Sequence, residues 1–321
     1  MRTVTLEEHY ATPAFLKGPG HELQERARSG GFAAGLIEAL LDLGAERIAK
    51  MDQAGIDVQV VSLTAPGVEQ SEVGEAIALA RDANDYVAEA VHRYPSRFAG
   101  FAAIATPDPC AAAQELERRI RAGFKGAMIN GHARGRHLDD RFFWPIFECA
   151  EASGVPLYLH PTQPPQAVID ASYSGFSRDV TFMFANAGVG WHIETAIHAV
   201  RIILGGVLDR FPRLQLILGH LGETLPFMIE RLDNMQPAMT GLKRPISAYL
   251  RENFHYTFSG FNFAPAFLTL MFEIGVDRIM FSADHPYASM SAARSFLDRL
   301  PVSPADKEKI AHGNAESLLR I

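Results

Sequence analysis

The sequence predicts an α/β fold of the (β/α)8, TIM-barrel class, on three observations. Short apolar, β-branched runs alternate with longer runs of helical spacing, eight times in series. The short runs are apolar at nearly every position, as in VQVVSL (58–63) and LQLILGH (214–220). That is the pattern of strands buried on both faces of a parallel sheet. The length, 321 residues, suits one closed barrel with insertions, about 250 residues being usual. An open doubly wound sheet is the alternative topology, but the phosphate-cradling GxGxxG and GK[ST] loops are missing from the sequence. Residues 1–321 therefore read as a single domain.

The first strand spans Val4 to Glu8, and Leu36 to Ala54 reads as one helix. Val58–Leu63 is the second strand, followed by a long helix from Glu72 that Pro95 stops. Phe98–Ile104 is the third strand, Cys110–Ala122 a helix, Lys125–Asn130 the fourth strand and Phe143–Ser153 a helix. Pro156–His160 is the fifth strand, and a long connection runs from Pro161 to Gly190. His192–Arg210 is a helix, Leu214–His220 the sixth strand and Leu225–Met235 a helix. Phe254–Ser259 is the seventh strand, and Ala266–Ile274 a helix with Gly275 as its C-cap. Arg278–Ser282 is the eighth strand, and two helices, Ala292–Leu300 and Pro304–Leu319, close the chain.

Charge excludes some functions. Thirty Lys and Arg against 37 Asp and Glu give a net charge of -7, with no basic cluster of the kind nucleic acid requires. Cys110 and Cys149 lack CxxC spacing, so no disulfide framework is expected and a reducing cytoplasm fits. MRTVTLEEHY has no apolar signal region, and no window reaches the ~18 apolar residues of a membrane span. The apolar stretch GGFAAGLIEALLDLG, beginning at Gly30, reads as loop plus helix.

In such a barrel the C-terminal strand ends face the active site. The polar residues expected there are Glu7, His9, Asn130, His132, His160, His220, Ser259, Asn262 and Asp284. Strand alternation puts Glu7 and His9 on one face. Imidazole with carboxylate suits Zn2+, Mn2+ or Fe2+. Singly, each has a plainer reading. Glu7 and His9 could be a polar pair, His160 in PLYLHP a core histidine, His220 between Gly219 and Gly222 a turn residue, and Asp284 a helix cap. Their coincidence on one rim favours a metal site. His21, His92, His137 and His312 are expected at the surface, His192 and His198 with Glu194 in structural roles, and His255 on the opposite rim.

LEEH, YLHP, ILGHLGE and FSADHP, in that order, resemble the decarboxylase branch of the amidohydrolase superfamily, the group of γ-resorcylate, 5-carboxyvanillate and aminocarboxymuconate-semialdehyde decarboxylases. The similarity runs through ANDYVAEAVHRYPSRFAGFAAI and HAVRIILGGVLDRFPRLQLILGHLGETLPFMIERLD. The resemblance implies an amidohydrolase-like barrel and a carboxy-lyase acting on a hydroxylated aromatic acid such as a hydroxybenzoate. It implies one divalent ion, Zn2+ or Mn2+ with Mg2+ also admissible, held by Glu7, His9, His160 and Asp284. It makes His220, backed by Glu223, and Asp284 catalytic, and assigns Arg231 to an acidic partner or the substrate carboxylate. A homodimer or homotetramer is expected. Asn130 and His285 are candidate substrate contacts, and Phe182, Phe184 and Phe261 candidate walls for an aromatic ring. Hydrolytic relatives open with HxH and often use a carboxylated lysine; Glu7-x-His9, with no lysine ending a central strand, favours the one-metal, non-hydrolytic branch. A hydrolase of a lactone or cyclic amide on the same fold is the alternative, and a ligand-binding barrel without activity a second. His285 replaces an aromatic residue of the group, and GHARGRHLDD (131–140) is shorter and more basic than its counterpart.

Overall fold

The computed structural model describes residues 1–30 and 34–321. Its strands are β1 (Val4–Tyr10), β2 (Val58–Leu63), β3 in two pieces (Phe98–Gly100 and Ala102–Ala103), β4 (Ala127–Asn130), β5 (Leu157–His160), β6 (Leu216–Leu218), β7 (Phe254–Thr257) and β8 (Ile279–Met280). Each pairs in parallel with the next. A parallel bridge between Leu6 and Ser282 joins β8 back to β1 and closes the TIM barrel. The helix that follows each strand packs outside: α1 (Ala45–Ala54), α2 (Val73–Arg93), α3 (Pro109–Arg121), α4 (Trp144–Ser153), α5 (Gly190–Leu204), α6 (Leu225–Leu232), α7 (Ala264–Ile274) and α8 (Met290–Asp298).

Local chemistry sets these ends. Asp108 caps α3 by accepting from Cys110 and Ala111 N–H, with Pro109 in the first turn. Two apolar layers hold the barrel. Inward side chains such as Leu6, Val60, Phe101, Met128 and Ile217 fill the interior, and Ala315 and Leu319 of the last helix plug its base. Outward strand side chains pack with the helices in one continuous second layer.

Several elements differ from expectation. The helix expected over Leu36–Ala54 is two, because Asp42 leaves helical geometry and its carboxylate accepts from Gly44 N–H at 2.8 Å. The loop expected before it includes Gly31, Phe32 and Ala33, which lie outside the described residues. The helix expected over His192–Arg210 breaks at Gly205–Gly206, where Gly206 has φ 73°. The connection from Pro161 to Gly190 is helical, with Gln166–Ser172 and Arg178–Met183 folding over the barrel mouth. Pro13–Lys17 and His21–Arg28 make a matching excursion after β1.

The most consequential difference lies in β1. Its register against β2 shifts between Thr5 and Glu8, and Glu7 has φ 58°. Val4 and Leu6 face the interior, so simple alternation would send Glu7 outward. The bulge inserts Glu7 as an extra inward residue. Glu7 and His9 share a side because the ladder is interrupted, and period two alone does not explain it.

Candidate metal and substrate site

Glu7 is fully buried. Its Oε2 accepts from the hydroxyls of Tyr158 and Ser259. Its Oε1 has no hydrogen-bond partner among the described residues and lies 3.3 Å from His160 Nε2. His160 donates from Nδ1 to the Pro161 carbonyl at 2.8 Å, which leaves a lone pair on Nε2 facing that oxygen. A divalent cation between them would take up the Oε1 lone pair and, in the neutral ring, that of Nε2. Ligand atoms of Glu7, His9 and His160 lie within 4.8 Å of one another, and Asp284 Oδ1 stands 3.3 Å from His9 Nε2. The donor set of two imidazoles and two carboxylates suits a borderline divalent ion.

Burial alone would raise the Glu7 carboxyl; the surrounding His220, His160 and His9 outweigh it and hold the group well below the usual carboxylate range. Burial would likewise lower His220, yet Glu223 and then Glu7 push it up to about 10. Tyr158 rises, through burial and the neighbouring Glu7 charge, so it remains an O–H donor.

Glu223 accepts from His220 Nδ1 and from His192 Nδ1, both at 2.6 Å. Those are hydrogen-bond distances and directions, so the His192, His220 and Glu223 group is bonded internally. Behind the rim lies a buried charged support. Glu8 accepts from Ala283 N–H and from Gln59, while Arg47 donates to Gln59 and to the His9 carbonyl. Burial moves Glu8 up to about 7 and Arg47 down to about 10.

A cavity of ≈ 490 Å³ opens above these groups, with His9, His160, His220 and Asp284 on its floor. Phe182, Trp191, Phe261 and Tyr287 form aromatic walls. Four expected contacts fall elsewhere. Asn130 is buried behind the rim, its N–H bonded to Glu69 at 2.8 Å. Arg231 is exposed on α6, away from this cavity. Phe184 packs on Tyr173 at 4.9 Å, two residues beyond the wall residue Phe182 and on another face. The His285 ring is buried off the cavity, and burial, reinforced by the Arg47 charge, lowers it to about 3; Tyr287 supplies the aromatic face in that loop. His137, expected at the surface, is half-buried and bonded to Glu194 at 2.9 Å. His192 is on the cavity wall. Tyr158 could have been read from the sequence, since it lies two residues before His160 on the same strand face. His192 and Trp191 had no such signal.

The Amidohydrolase family model matches residues 40–321. The chain belongs to the amidohydrolase family. The γ-resorcylate decarboxylase of a Polaromonas species is 36% identical over 339 residues, covering 99% of this chain and 98% of its own. Solved amidohydrolase relatives share the barrel. Dihydroxybenzoic acid decarboxylase from Polaromonas, with bound manganese and the inhibitor 2-nitroresorcinol, superposes with a TM-score of 0.89 at 35% identity over 99% and 97% of the two chains. 5-Carboxyvanillate decarboxylase from Novosphingobium aromaticivorans, complexed with manganese and 4-hydroxy-3-methoxy-5-nitrobenzoic acid, gives 0.91 at 35% identity over 100% and 96%.

Proposed function

We propose that this amidohydrolase is a metal-dependent, non-oxidative decarboxylase of a hydroxylated benzoate. One divalent ion, Mn2+ or Zn2+, would be held by Glu7, His9, His160 and Asp284. The observation that carries the reading is an orphan carboxylate oxygen among imidazoles at the floor of an aromatic-walled cavity. Full-length relatives named as decarboxylases support it, and they do not support the hydrolytic alternative.

Losing CO2 directly from a benzoate would leave an aryl carbanion. An ion held at the floor would supply Lewis-acid chemistry to an oxygen-rich substrate. Asp284, partly open to the cavity, carries a proton to the ring carbon that bears the carboxylate. The bond to the carboxylate then breaks, its electron pair returns to the ring, and CO2 leaves. His220 donates from Nε2 to the carboxylate, and Phe261 and Trp191 hold the ring plane. Asp284 regains its proton from water, so one proton is consumed per turnover. The Mn2+-loaded protein should convert 2,6-dihydroxybenzoate to resorcinol with one CO2. Acid release from lactones without CO2 would instead favour hydrolysis.

We also infer one domain spanning the chain, a cytoplasmic setting consistent with free Cys110 and Cys149, and a homodimer or homotetramer. Phe227, Met239 and Phe272 are 87%, 75% and 80% exposed, which a water-facing surface disfavours. Light scattering reads the assembly directly.

A further inference from the structure

Five consecutive residues, His220, Leu221, Gly222, Glu223 and Thr224, have φ of 49°, 55°, 90°, 54° and 71°. Four of them carry a Cβ, so this left-handed run persists only if its surroundings hold it. The hold comes from another element. Glu223, 1% exposed, accepts from His220 Nδ1 at 2.6 Å through one oxygen and from His192 Nδ1 of α5 at 2.6 Å through the other. His192 donates from Nε2 to the Ala187 carbonyl at 3.2 Å. Both partners of His192 are acceptors, so the ring is held at both of its nitrogens between Glu223 and the Ala187 carbonyl. The rings of His192 and Phe261 pack edge-on to His220 at 4.8 and 5.2 Å. Carboxylate and rings together leave His220 one orientation, with Nε2 3.7 Å from Glu7 Oε1.

We infer that His192 is a positioning residue for the reaction: through Glu223 it locks the His220 imidazole plane and tautomer so that Nε2 faces the substrate carboxylate. This rests on the decarboxylase reading for what His220 does, although the bracket itself is independent of the reaction. A helix residue thereby reaches the chemistry through two hydrogen bonds and without touching the reacting atoms.

The test compares Mn2+-loaded wild type, His192→Leu and His192→Gln on 2,6-dihydroxybenzoate, with histidine 15N spectra of the metal-free proteins. His192→Leu should lose roughly 10–100-fold in kcat, with KM and metal per chain within about twofold of wild type. His192→Gln, whose amide can still donate to Glu223, should recover most of that loss. In a Glu223→Gln background His192→Leu should cost nothing more, because the two act as one unit. Metal-free wild type should show hydrogen on His192 Nδ1, bonded to Glu223. A His192 without hydrogen on Nδ1, an unchanged kcat in His192→Leu, or losses that multiply with Glu223→Gln overturns the proposal. Should the wild type release no CO2 while the spectra show the His192 Nδ1–H bonded to Glu223, the substrate class fails and the bracket is supported.

Discussion

Asp284 tests the chemistry most directly. Asp284→Asn keeps an oxygen for the ion but has no proton to deliver. It should lower kcat by about 10²- to 10⁴-fold while metal content by atomic absorption stays near one per chain; full activity with metal bound would end its role as proton donor. Glu69 tests burial. Burial raises its carboxyl to about 7, against about 4.3 in an unfolded chain. The folded state therefore binds more protons between those values. The group's contribution to stability is complete below about pH 4.3 and is lost as pH rises through 7. Glu69→Gln keeps an acceptor for Asn130 N–H and cannot ionise, so it should gain roughly 1–3 kcal/mol on wild type between pH 5 and pH 8 in urea titrations. Equal differences at both pH values would count against the assignment. At this scale the sequence showed the histidines and carboxylates of the cavity floor plainly, because such residues at strand ends are rare and chemically specific. It did not show Ser259 and Tyr158 sharing Glu7 Oε2, or His192 behind Glu223, since those contacts join residues 31 or more positions apart.

Strands and helices position the ligands through two close approaches. A Cβ at Gly219 would lie 2.6 Å from Glu7 Oε2 and 2.9 Å from Ser259 Oγ. Gly219→Ala should therefore push Glu7 off its seat and weaken metal affinity about 10–100-fold, read by competition with a chromogenic chelator. Arg47, on α1, sets its charge near the buried Glu8 beneath β1, with Gln59 bonded to both, and holds the His9 carbonyl at 2.7 Å. Arg47→Met leaves that carboxylate uncompensated and should cost about 3–5 kcal/mol in stability, measured by denaturant unfolding. Strand positions were legible from apolar runs, which report burial on both faces. The helices over the mouth were not. Pieces of six and seven residues are too short to show a period, and they are held by packing on the barrel.

For the whole molecule, closure of the barrel gathers the proposed ligands from β1, the end of β5 and the loop after β8. The fold and the metal site are thus coupled. An ion that binds only this gathered state stabilises it by mass action, about 2.7 kcal/mol at a hundredfold excess over Kd. Stripping it with a chelator should lower Tm by roughly 5 °C, and adding Mn2+ back should restore it. An unchanged Tm would mean that the acidic floor neutralises itself without an ion. Eight repeats made the architecture readable from the sequence, because periodic burial needs no long-range information. The shape of the cavity depends on where two non-repeating excursions meet, as where the Arg26 guanidinium lies 3.3 Å over the Phe182 ring.

The bulge in β1 makes Glu7 supernumerary. Without it, Val4, Leu6 and His9 would still face inward in step with β2, and Thr5, Glu8 and Tyr10 outward, because the observed register already skips that residue. A single-codon deletion of Glu7 should therefore yield a regular ladder and a folded, inert barrel whose melting no longer responds to chelators. The corresponding insertion into an unbulged barrel becomes a design route: one added residue, in a left-handed conformation, turns a packing strand into a ligand-bearing one while the rest of the scaffold keeps its register.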